Sequence, residues 1–127
     1  MKIASMIARY LLGLGFLIFG LNGFFHFIPQ PPMQPGAAAD YVNVLMATHY
    51  MLPVCALEVV AAVLLLINRW VPMALTILGP ILVNILLFHI LMQPATLPMA
   101  LVFVLLWVLV FLSVKSAFAG LFQSQVD

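Results

Sequence analysis

Glu58 stands alone in the run VCALEVVAAVLLL, one carboxyl among apolar neighbours. A carboxyl in hydrocarbon either finds a partner or holds its proton, so it marks a site of proton exchange, ligand binding or interhelical hydrogen bonding. Three histidines (His26, His49 and His89), two amides (Asn22 and Asn84) and the single thiol, Cys55, accompany it. These residue types suit hydrogen-bond recognition and proton transfer. Two octets repeat part of the pattern. FFHFIPQP at 24–31 and LFHILMQP at 87–94 share Phe, His, Gln and Pro at matching places.

The elements that position these residues follow from composition. Of 127 residues, 67% are hydrophobic and 6% charged. A soluble domain is roughly half apolar and a quarter charged, so this chain is read as an integral membrane protein. The expected fold class is all-α, a four-helix transmembrane bundle in a single domain. A span needs about 20 mainly apolar residues. Four stretches qualify, at about 7–28, 50–67, 71–92 and 97–118. The segment 29–49 begins with prolines and then becomes helical in composition from Ala37, which predicts a short interfacial helix in the first outer loop. Residues 1–39 are too long and too apolar for a cleaved signal peptide and read as span and loop.

Lys2, Arg9, Arg69 and Lys115 all fall at one side if both termini are cytoplasmic, as the positive-inside rule prefers. In that arrangement Asn22, Glu58 and Asn84 lie about 9–12 Å below the outer ends of their spans. His26 and His89 lie about 3–5 Å below those ends, and His49 sits at the mouth of the second span. Asn22 with His26, and Cys55 with Glu58, have spacings that share a helix face. The candidate ligand pocket is therefore Asn22, His26, His49, Cys55, Glu58, Asn84 and His89, opening outwards. A purely structural reading has Glu58 bonding to Asn22 and Asn84 to set helix register. The histidines also suit interfacial anchoring.

Other chemistries are weaker matches. One cysteine allows neither an intrachain disulfide nor a C-x-x-C relay. That excludes four-helix membrane enzymes that pass electrons between cysteine pairs and quinones. His26 and His89, at similar depth, are the pair a haem would use, and His26, His49, His89 and Glu58 are metal-ligand types. None of their spacings is a metal motif, so no metal site is assigned. A net charge of +1 without a basic stripe gives no sign of nucleic acid as a partner. Spans one and two resemble spans three and four, with Glu58 corresponding to Phe103, as in a parallel repeat.

The stretches ARYLLGLGFLIFGLNGFFHFIP, LPVCALEVVAAVLLLINRWVPMAL and ILGPILVNILLFHILM resemble the DoxX-like family of small bacterial membrane proteins. The likeness covers about residues 8–118. It rests on an Arg before a Gly-rich first span, an acid early in span two, a short Arg turn, and Asn with His on span three. The resemblance implies a multi-pass protein of the bacterial inner membrane. It also implies a membrane subunit or accessory of a redox system, with quinone as the conceivable cofactor and a redox protein as partner. No catalytic residue is carried over from the family. Membrane lipid is a partner by composition, and a four-span bundle is suited to pairing with a second copy. The alternatives are a small-molecule or lipid binder or transporter using the same pocket, and an assembly partner without chemistry.

Overall fold

The computed structural model describes residues 2–126, and among these every regular element is helical. The elements are α1 (Lys2–Phe25), α2 (Ala37–Ala47), α3 (Met51–Leu66), α4 (Val71–Leu91) and α5 (Leu97–Val114), with 3-10 turns at Pro94–Thr96 and Lys115–Phe122. Three stretches are each long and apolar enough to cross a membrane: α1, α4, and the run Pro94–Phe122 that contains α5. α3, with 16 residues, is about 24 Å long at 1.5 Å per residue. It passes the same test only together with α2, from which it is bent by 85°. The chain thus carries three helices long and apolar enough to cross a membrane, or four if α2 and α3 form one bent span.

Helices suit this environment because they satisfy their backbone groups internally. α1 packs on α3 and α5, α3 on α4, and α4 on α5, which closes a ring of four. Large apolar side chains also cover the outside of this ring, among them Leu11, Ile18, Val60, Val83 and Leu105. In water such a surface would be a liability; against acyl chains it needs no cover.

The interior is uneven. Its packed core takes Ala8, Leu12 and, past the middle, Phe16 from α1, and Ala61, Ala62 and Leu65 from the last half of α3. Ala74, Leu75 and Leu78 from the start of α4 and Val110 near the end of α5 complete it. Two polar contacts tie this end together. The Arg9 guanidinium donates to the Leu65 carbonyl, which also accepts the Asn68 N–H where α3 ends. Trp107 Nε1 donates to the Leu75 carbonyl at 3.0 Å, one turn before Pro80 inside α4.

α1 and α3 approach closely because glycines line the contact. A Cβ on Gly20 would lie 2.8 Å from Val59 and 3.0 Å from the Cys55 carbonyl oxygen. One on Gly23 would lie 2.2 Å from Cys55 Sγ. At Gly20 part of the obstruction is backbone, so no rotamer change relieves it. Gly20→Ala should therefore force the helices apart and lower stability by about 1–3 kcal/mol, the usual cost of overpacking. Thermal unfolding of the two proteins in one detergent checks this. An unchanged midpoint would show that the contact is looser than described.

Candidate functional site

The end of the ring away from the packed core is hollow. Two cavities of 350 and 550 Å³ lie there, and Glu58 lines both. The larger is bounded by all four helices of the ring, by α2 and by the loop after α1. It gathers Asn22, His26, Cys55, Glu58 and His89. The smaller lies between α3 and α4 and gathers Glu58, Asn84 and His89. α2 crosses above them, its Val42 lining both. The structure thus brings six of the sequence candidates to two adjoining cavities. His49 lines neither.

Glu58 is 6% exposed, the one charged residue buried among the described residues. Its carboxyl makes no hydrogen bond to any described residue, yet no fully buried side-chain oxygen or nitrogen lacks a partner. Its oxygens therefore keep some open surface, and that surface faces the cavities. The register contacts considered for Glu58 do not form. Asn22 Oδ1 accepts from the Ile28 N–H at 2.8 Å, and Asn84 Nδ2 donates to the Pro80 carbonyl at 2.9 Å. Both amides serve their own stretch of chain.

The histidines occupy three different settings. α1 ends at Phe25, so His26 lies just past the helix instead of on its face with Asn22. It adopts a left-handed conformation, φ 51°. Pro29 keeps the helix from running on, because it cannot donate to a helical carbonyl and disfavours helical geometry at Ile28. Met92 stands at the matching place in the second octet, and there the helix runs on through His89 to Leu91. Two similar octets thus give different local structures, and Pro29 against Met92 is the difference between them that bears on helix continuation. His49 is also left-handed, φ 59°, and ends α2. Its N–H donates to the Met46 carbonyl at 3.2 Å, and the Tyr50 N–H donates to Leu45 at 3.0 Å. This pair is a Schellman closure, with histidine where glycine is usual. His49 therefore belongs to the turn between α2 and α3. His89 stays on its helix, with Nδ1 2.7 Å from the Ile85 carbonyl oxygen. Among the described residues no three His, Cys, Asp or Glu side chains converge as a metal ligand set.

Sequence reasoning missed an aromatic wall. Phe103 lies 5.3 Å from Phe16 and 5.8 Å from Phe19, ring centre to ring centre, and all three line the larger cavity. Room for Phe103 comes from Gly15, where a Cβ would sit 2.5 Å from its ring. The only advance signal was the alignment of Phe103 with Glu58.

The Asn22 bond to Ile28 holds the chain as it leaves α1 and so sets where His26 sits. Asn22→Leu should cost about 1 kcal/mol, the usual net value of such a bond. It should also loosen the 26–28 backbone, readable as faster amide exchange there; unchanged exchange would mean that Pro29 alone holds the turn. No protein-family model, curated protein or solved structure matches the chain.

Proposed function

We propose that the protein is a multi-pass protein of the bacterial inner membrane that holds a small, largely apolar molecule by a hydrogen-bonding head group at Glu58. In this reading α1, α3, α4 and α5 are four spans of one bundle, both termini are cytoplasmic, and α2 lies at the outer interface. Support for the orientation comes from Lys2, Arg9, Arg69 and Lys115, which all fall at the end opposite the cavities.

The observation that carries the reading is Glu58 itself, buried, unpartnered within the described residues, and open to a 550 Å³ cavity. That volume is in the range of small-molecule sites, about 300–1,000 Å³. Such sites join an apolar wall to a few placed polar groups, as Phe16, Phe19 and Phe103 here line one cavity with Glu58, Asn22 and His89. A quinone is the ligand we favour. It has a flat ring for an aromatic wall, carbonyls for donors such as the Asn22 amide, and a need for nearby proton-exchanging groups. The likeness of the sequence to the DoxX-like family points the same way, to a membrane subunit of a redox system. Binding or transport of another small molecule or lipid by the same cavity is the alternative.

Protein purified with its native lipid should yield a quinone on solvent extraction and mass spectrometry. Glu58→Gln, which keeps the volume but removes the charge and the exchangeable acid, should lower the retained amount by about tenfold, or 1.4 kcal/mol of binding. Equal retention in the variant would reject Glu58 as the head-group site. Repeated lack of quinone and of any co-purifying redox protein would reject the redox reading.

A further inference from the structure

The smaller cavity has a different chemical character from the larger one. Its wall carries three aromatic rings, Tyr41, Tyr50 and Phe88, with Tyr41 and Phe88 5.6 Å apart. Its other polar groups are Glu58, Asn84 and His89. The Ile85 carbonyl can only accept, so the hydrogen on His89 is at Nδ1 and the Nε2 of the neutral ring is an acceptor. Asn84 gives one Nδ2 hydrogen to Pro80, which leaves Oδ1 and one N–H. The two Glu58 oxygens are open. Acceptors thus outnumber donors, and the two tyrosine hydroxyls can play either part.

A wall of acceptors, a carboxyl and aromatic faces selects a ligand with positive charge and N–H donors. The faces of the rings are electron-rich and attract a cation. The carboxylate pairs with an ammonium by a charge-assisted hydrogen bond. An acid would be repelled by Glu58, and a neutral ketone offers no donor. We infer that the 350 Å³ cavity is a second binding site, for a lipophilic amine held as its ammonium ion. It rests on the same carboxyl as the proposed function but not on the quinone. Tyr41, Asn84 and Phe88 line only the smaller cavity, and Asn22 and Phe103 only the larger. Because Glu58 serves both, an ammonium bound on one side competes with a head group on the other.

Calorimetry of the full chain in lipid nanodiscs tests this, with 2-phenylethylamine as the probe and 2-phenylethanol and 3-phenylpropanoate as matched controls. The amine should bind about tenfold or more tightly than the alcohol, a 1.4 kcal/mol advantage, and the acid should not bind. Asn84→Leu and, on the exposed helix α2, Tyr41→Leu should each weaken amine binding severalfold and leave quinone retention unchanged. Phe103→Leu should do the reverse. Equal affinity for amine and alcohol, or amine binding untouched by both cavity variants, overturns the site. Amine binding that persists in protein never found with quinone supports the second site and rejects the quinone reading alone.

Discussion

The close approach of α1 to α3 is the contact on which the rest of the interior depends. Gly20 and Gly23 let the α1 backbone meet Val59 and Cys55. Leu12 and Leu65 then become wholly buried at the other end of the same pair. Hydrocarbon supplies no hydrophobic force between helices, so such packing must come from contact area and from satisfied polar groups. Both are present where Arg9 meets the end of α3 and Trp107 meets α4. With one end of the ring closed in this way, the other end can stay hollow without loss of the fold.

Hollowness there has a physical reason in the residues themselves. α1 stops at Phe25 because Pro29 follows, and α3 begins only at Met51 after a right-angled turn at His49. The packing surface at that end is therefore shorter than at the other. Phe103 enters the gap against Gly15, Phe16 and Phe19 but does not fill it. Glu58 faces what remains from both sides. A carboxyl at such a place is costly unless a ligand, a proton or water answers it.

Much of this was legible in the amino-acid order. Long apolar runs marked the helices, and the shift in composition at Ala37 marked α2. Glu58 stood out because nothing like it occurs in the apolar runs around it. The residues that went astray show what a linear pattern omits. The spacing of Asn22 and His26 implied one helix face, but that inference assumed the helix continued, and a proline three residues further on ended it. Asn22 and Asn84 were natural partners for Glu58 by depth. Backbone groups nearer in the chain, the Ile28 N–H and the Pro80 carbonyl, claimed them first. Side-chain bonds to nearby backbone groups need little ordering of the chain and often prevail over longer-range ones.

The same competition argues for what Glu58 is. If its role were to hold helix register, the neighbouring amides would be expected to turn to it, since a buried acid gains more from a partner than an exposed turn does. Here they turn away, and the carboxyl is left on the shared boundary of two cavities. One of these offers an amide donor and a wall of phenylalanines, the other mostly acceptors and tyrosines. A group set between unlike compartments answers to whichever ligand is present. The two sides need not bind the same molecule for the one carboxyl to serve both.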